Sequence, residues 1–166
     1  RGDGGVDWLD RPRTAGDYGM ADFYRSVDTV LMGRKTWDFG VSYGQPRFGG
    51  KENYVFTRSP SPRRRALAKR SRVELVSTEP IDEFARRIRA EKGKETKDIW
   101  LVGGASLFAG FLDAGEVDSI IAHVQPILIG EGIPLVEAAR RTVPLRLVAS
   151  KKYSDGVVRL EYAVRS

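Results

Sequence analysis

A strand that leads directly into a helix through two glycines is the feature that most constrains this fold. Residues 98–112 read Asp-Ile-Trp-Leu-Val-Gly-Gly-Ala-Ser-Leu-Phe-Ala-Gly-Phe-Leu. Residues 99–102 form an apolar run of strand length, and from Ala105 onward the apolar spacing is that of a helix packed on one face. Helix N-termini offer unpaired N–H groups, and glycine lets an anion approach the backbone. The turn suits a pyrophosphate, although Gly-Gly also serves close packing alone.

Composition narrows the class of protein. A chain of 166 residues that is 41% hydrophobic is large enough for one domain with a core. It contains no cysteine and one histidine, so disulfides, thiolate metal sites and His-rich metal sites lack their ligands, and no metal is predicted. We find no apolar run long enough to span a bilayer and no leader sequence, and expect a soluble, cytoplasmic protein with no membrane partner. The net charge of +6 favours anionic partners.

The first residues of the chain are turn formers. Residues 1–5 read Arg-Gly-Asp-Gly-Gly and do not begin with methionine. Such a start is expected just after another element of structure. We therefore expect that an N-terminal strand is missing from this sequence.

Strand and helix patterns alternate along most of the chain, which predicts an α/β fold. Strands are predicted at residues 29–32, 53–57, 73–76, 99–102 and 117–125. Helices are predicted at 21–27, after Gly33, at 80–92 and from Ala105 to about Gly115. Residues 145–153 and 157–164 flank a turn and predict an antiparallel hairpin. Residues 58–72, rich in basic side chains, are predicted to form a solvated loop.

A second anion-binding pattern follows the first predicted strand. Gly33 ends that strand, and Arg34, Lys35 and Thr36 stand where a helix begins. Arginine offers a planar fork that matches phosphate, lysine adds a compact charge, and threonine can donate a hydrogen bond. The pattern suits a ribose phosphate, and a solvated basic turn is the alternative.

A third polar set, Thr57, Arg58 and Ser59, follows the next predicted strand. In open α/β sheets ligands gather at the carboxyl ends of the strands. Three successive strand ends therefore carry groups that bind phosphate. Each could be an ordinary polar loop, but together they predict a binding edge for one phosphorylated dinucleotide.

Four motifs in order resemble a known family. Residues 28–37, 53–59, 98–112 and 116–132 are similar to the corresponding segments of the dihydrofolate-reductase superfamily. They are most similar to the branch that contains the C-terminal reductase domain of the bifunctional riboflavin-biosynthesis deaminase-reductase and its stand-alone relatives. The resemblance covers nearly the whole chain. It implies a single domain with a mostly parallel central sheet, flanking helices and a C-terminal antiparallel hairpin.

The resemblance also implies a cofactor, NADPH, lying across the strand ends. Arg34, Lys35 and Thr36 would hold its adenosine end, with Arg34 and Arg58 as partners of the extra phosphate. The pyrophosphate would lie on five consecutive residues, which in this sequence are Gly103, Gly104, Ala105, Ser106 and Leu107. The two glycines of this turn are often joined by a cis peptide bond in the superfamily. Trp8 resembles a tryptophan near the cofactor, although a packing aromatic is the alternative.

The implied reaction is hydride transfer from NADPH to a small heterocyclic or carbonyl substrate of the pterin or pyrimidine-ribose type. Gly103 departs from the riboflavin enzymes, which usually carry an acidic residue at this position, and the pyrimidine-ribitol substrate is therefore in doubt. Asp17 and Asp22 lie near the position of the carboxylate that dihydrofolate reductases present to the pterin, but neither aligns without a gap. No catalytic residue is assigned.

Besides the reductase, two other functions are considered, and the sequence also predicts an assembly and the surroundings of the histidine. The fold could serve as a non-catalytic, nucleotide-binding dimeric module, because no clear proton donor is visible. The basic residues 63–65 suggest nucleic acid, but no aromatic side chains are interleaved for base stacking, so this partner is not favoured. The exposed edge of the C-terminal hairpin predicts a homodimer. His123, on a predicted strand, is expected to be a packed or half-exposed side chain.

Overall fold

The structure is a computed structural model, and it describes residues 5–9, 14–93, 97–137 and 142–165. A 3-10 turn at Asp7–Leu9 precedes the main elements. Helices and strands then alternate as α1 (Met20–Ser26), β1 (Val27–Gly33), α2 (Arg34–Ser42), β2 (Glu52–Phe56), α3 (Pro62–Ser71), β3 (Glu74–Val76), α4 (Ile81–Lys92), β4 (Asp98–Gly103) and α5 (Ala105–Asp113). Three strands follow, β5 (Ser119–Val124), β6 (Leu145–Lys152) and β7 (Val158–Val164).

The strands form two sheets. A four-stranded parallel sheet has the order β3-β2-β1-β4, and a three-stranded antiparallel sheet has the order β5-β7-β6. Leu31 of β1 pairs with Tyr54 of β2 on one side and with Leu101 of β4 on the other. The predicted α/β fold with a parallel central sheet and a C-terminal antiparallel hairpin is confirmed. Because β1 to β4 are parallel, all their carboxyl ends lie at one edge.

Both faces of the parallel sheet are packed. Val30 and Met32 point to one face, where they pack with the fully buried Trp37 of α2. Leu31 points to the other face and packs with Phe84 of α4. This division follows from the alternation of side chains along a strand. With helices held on both faces, the loops at the carboxyl edge stand on a rigid support.

The prediction of a loop at residues 58–72 is wrong for most of its length, because Pro62–Ser71 form α3. The Ser61 hydroxyl caps this helix by accepting a hydrogen bond from the Arg64 N–H at 3.3 Å, and Pro62 occupies a first-turn position. Ala68 is the one buried residue of the helix. An apolar stripe is therefore almost missing, and periodicity gave no helix signal.

One edge strand of each sheet comes from the middle of the chain. β4 and β5 are both edge strands within the described residues, and α5 connects them. Ile99 of β4 is 39% exposed and Val124 of β5 is 51% exposed. Among the described helices, none has the length and apolar character needed to cross a bilayer.

Candidate functional site

The two predicted glycine turns meet at the carboxyl edge of the parallel sheet. Met32, next to Gly33, pairs with Gly103. A Cβ placed on Gly33 would lie 3.4 Å from the Gly104 nitrogen and 3.6 Å from the Gly103 oxygen. Gly103 has a φ of 122°, which side chains rarely allow, and the Gly103–Gly104 peptide bond is cis, as the resemblance implied. The two turns are therefore in van der Waals contact, and the φ of Gly103 favours glycine at that position.

Two helices begin at this junction. Gly33 precedes α2 and Gly104 precedes α5, and neither residue has a side chain that caps the helix. A Cβ on Gly104 would lie 3.7 Å from the Thr36 hydroxyl oxygen, so the first turn of α2 stands beside the start of α5. First-turn N–H groups and the positive helix ends thus face one region. Such an arrangement suits a bound anion.

A cluster of charges flanks the first turn of α2. The Arg34 guanidinium donates a hydrogen bond of 2.8 Å to the Asp38 carboxylate. Arg64 of α3 donates two more to the same carboxylate, at 3.2 and 2.9 Å. Burial alone would raise the pKa of Asp38, but hydrogen bonds and positive charge from Arg64 and Arg34 hold that pKa below its ordinary value. Asp38 therefore stays ionised and fixes both guanidinium groups.

The sequence interpretation missed Arg64 and Asp38 as parts of this site. Arg64 lay within the segment predicted as a loop, 26 residues from Asp38 along the chain. The Ser61-Pro62 pair was the available signal, since it is typical of a helix start. A helix after β2 would have placed Arg64 on a defined face.

The other predicted site residues have different surroundings. Lys35, Arg58, Ser59 and Ser106 are exposed. Thr57, the residue after β2, is buried, and its N–H donates to the Val76 oxygen of β3 at 2.9 Å. Ala105 is buried and Leu107 packs against the core around Phe84. The side chain of Trp8 lies outside the described residues.

Neither aspartate near α1 is placed as a proton donor. The Asp17 carboxylate accepts hydrogen bonds from the Ala21 N–H at 2.8 Å and the Gly19 N–H at 3.0 Å, and the Ala21 bond does most to lower its pKa. Asp22 is exposed and forms an ion pair with Arg25. Both residues organise the start of α1 or its surface.

The single histidine lies away from the glycine turns, on β5. The His123 Nε2 atom is 3.2 Å from the Tyr18 backbone oxygen, and the two rings are 6.2 Å apart. This confirms the expectation of a half-exposed, packed side chain. In the part of the chain that the structure describes, no group of three or more histidine, aspartate or glutamate side chains is arranged to hold a metal ion.

Comparison with known proteins places the chain in a family. The family model of the RibD C-terminal domain matches residues 8–159. The chain belongs to the RibD C-terminal domain family. This is a reductase-like family linked to riboflavin biosynthesis, as the motifs predicted. The uncharacterized protein YwjB of Bacillus subtilis (strain 168) is 36% identical over 157 residues, which cover 93% of this chain and 84% of YwjB.

Solved structures show the same fold at lower identity. A putative riboflavin biosynthesis protein from Shewanella sp. PV-4 has a TM-score of 0.80 at 21% identity, covering 99% of this chain and 90% of its own. A pyrimidine reductase-like protein from Corynebacterium diphtheriae has a TM-score of 0.65 at 18% identity, covering 95% of this chain and 86% of its own. RibD C-terminal domains have a dihydrofolate-reductase-like fold, and the predicted fold is confirmed.

Proposed function

We propose that this protein is an NADPH-dependent reductase that transfers hydride to a small heterocyclic or carbonyl substrate. The observation that carries the proposal is the contact between the Gly33 and Gly103-Gly104 turns, where α2 and α5 both begin. The membership in a reductase-like family supports it. One relative of the same fold is described as pyrimidine reductase-like, which supports a substrate of the pyrimidine or pterin type.

The residues at this edge fit a dinucleotide phosphate. The backbones of Gly103 and Gly104 carry no Cβ that would block a pyrophosphate, and the Ser106 hydroxyl is exposed beside them. The Thr36 hydroxyl would approach the same group from α2. When bound, NADPH would supply the hydride, while the protein orients the nicotinamide and the substrate.

Cationic side chains beside the turns fit the adenosine end. Arg34, fixed by Asp38, would bind the phosphate that distinguishes NADPH from NADH. Lys35 follows it directly, Arg58 follows the end of β2, and both are exposed. A guanidinium matches the geometry of a phosphate, and pairing with Asp38 limits the number of conformations that Arg34 must lose on binding. We therefore expect a preference for NADPH over NADH.

Titration with both nicotinamide cofactors tests the proposal. Binding is followed by quenching of tryptophan fluorescence. Arg34→Gln should weaken NADPH binding roughly tenfold, because one charged hydrogen-bonding partner of the phosphate is lost, and should leave NADH binding nearly unchanged. Arg86→Gln is the matched control, since Arg86 also pairs with an aspartate one helical turn away. No binding at millimolar NADPH would contradict the proposal.

A second candidate function is a nucleotide-binding module without turnover. Two acidic residues are described close to the glycine turns. Two arginines already neutralise Asp38, and the N–H of the exposed Glu137 donates to the Ala105 oxygen at 3.4 Å. A carboxylate held by two arginines, as Asp38 is, is a poor proton donor. Oxidation of NADPH in the presence of pterin, pyrimidine and carbonyl substrates separates the two functions, because sustained turnover with any of them excludes the module.

A further inference from the structure

A polar cavity lies at the amino edge of the parallel sheet, opposite the glycine turns. Its walls come from the start of β1, from the segment before β2 and the first residue of β2, from the residue after α3 and from the end of α4. The cavity measures about 450 Å³. A strand of seven residues separates the two edges by roughly 20 Å, so the cavity is distinct from the proposed NADPH site.

The lining of this amino-edge cavity is predominantly basic. Four cationic and two acidic side chains line it, which gives a local charge of +2. The cations are Arg47, Lys51, Arg72 and Lys92, and the acids are Asp28 and Glu52. An open cavity with this excess of positive charge attracts anions.

Two of the four cations have partners within the protein. Lys92 forms an ion pair with Asp28. The Lys51 ammonium donates to the backbone oxygens of Tyr24 at 2.6 Å and Val27 at 2.7 Å, and burial does most to lower its pKa. Both lysines thus fasten the floor of the cavity.

The two arginines are different. Arg47 and Arg72 are exposed, and among the described residues neither guanidinium has a hydrogen-bond or ion-pair partner. Both nevertheless stand on an ordered backbone. Arg72 follows α3 in a left-handed conformation, two residues before β3, with its N–H bonded to the Lys69 oxygen. The segment that follows Arg47 is fastened by the buried Asn53, which bonds to both the N–H and the oxygen of Phe48.

We propose that this cavity binds a small dianion with a phosphate group, held by the Arg47 and Arg72 guanidinium groups. Each guanidinium presents a planar pair of N–H donors that matches two phosphate oxygens. The two lysines below supply positive potential without giving up their internal bonds. A dianion fits the local charge of +2. The ligand class is inorganic phosphate or a phosphomonoester.

Calorimetric titration of the full chain at low, constant ionic strength tests this site. Inorganic phosphate and glycerol 3-phosphate are the two probes, and tighter binding of one identifies the source of the phosphate group. The double variant Arg47→Gln/Arg72→Gln should weaken binding of the preferred probe at least tenfold, about the effect of one lost charged hydrogen-bonding partner. Arg47→Lys/Arg72→Lys keeps the charge but loses the planar fork, and should give an intermediate affinity.

A control with the same change in charge is Arg146→Gln/Arg165→Gln, at two exposed positions of the antiparallel sheet or its end. It should bind phosphate like the unchanged protein. Absence of saturable binding of both probes, or an equal loss in the control, would overturn the proposal. Tighter binding of a short single-stranded oligonucleotide that needs Arg47 and Arg72 would overturn it in favour of nucleic acid. Unchanged NADPH titration of the Gln variant would confirm that the two sites are separate.

Discussion

At Gly103 the backbone conformation, and not the space around the residue, favours glycine. The φ of 122° is nearly closed to side chains, although no atom lies within 4 Å of the position that a Cβ would occupy. Gly103→Ala should therefore destabilise the protein by about 1–3 kcal/mol through backbone strain and not through a clash. Urea denaturation measures this loss. Gly49→Ala, which also meets open space but has no such φ, should change stability little.

Ionisation of Tyr54 is expected to lower the stability of the folded protein at alkaline pH. The Tyr54 ring is buried against Phe84, at 5.2 Å between ring centres, and burial together with the Glu52 and Glu74 carboxylates raises its pKa to about 12. In the unfolded chain the Tyr54 hydroxyl ionises near pH 10. Below pH 10 it is neutral in both states, so the full contribution of the buried Tyr54 to stability is present there. That contribution, up to roughly 2–3 kcal/mol, is lost as the pH rises towards 12.

The variant Tyr54→Phe isolates this effect, because it keeps the ring and removes the ionisable hydroxyl. Denaturation midpoints measured between pH 9 and 12 should fall less steeply in the variant than in the unchanged protein. Parallel slopes would show that another group controls alkaline unfolding.

At the scale of elements, α3 links the stability of a helix to the geometry of the site. Ser61 caps this helix, and the helix carries Arg64 to Asp38, which also holds Arg34. Ser61→Ala should cost about 1 kcal/mol, because the first turn loses a partner for its N–H. We also expect weaker NADPH binding than in Ser71→Ala, a control at the last residue of α3. Equal NADPH affinities of the two variants would show that the cap of α3 does not affect the binding site.

The elements also show how far sequence patterns reach. The apolar runs of β1, β2 and β4 were visible because buried parallel strands are continuous in apolar residues, and their ends predicted the shared edge. The helix α3 was not visible in the sequence, because a helix with one buried alanine has no periodic pattern of apolar residues. The joining of Arg34 and Arg64 through Asp38 could not be predicted from spacing, because it depends on how α2 and α3 pack. The assignment of individual site residues to NADPH stays a prediction.

At the scale of the whole molecule, β6 supports the expected homodimer. It is the outer strand of its sheet, and all eight of its residues are exposed. Leu145, Leu147 and Val148 are each between 43% and 52% exposed, which is unusual for apolar side chains on one strand. We propose that a second copy of the chain covers this surface.

Sedimentation over a range of protein concentrations tests the dimer. Leu147→Lys should shift the equilibrium towards monomer, because a charge on an edge strand opposes pairing. Lys151→Glu, which also changes a charge on β6 but not its apolar part, should have the smaller effect. A chain that sediments as a monomer throughout would contradict the proposal.

The two mid-chain edges, β4 and β5, make the protein receptive to foreign backbone. An apolar strand such as β4, with one row of amide and carbonyl groups unoccupied by other described strands, can template an extended peptide from any molecule that comes near. At high protein concentration we expect this row to pair edge to edge with a second chain, so any aggregation of the protein should begin here.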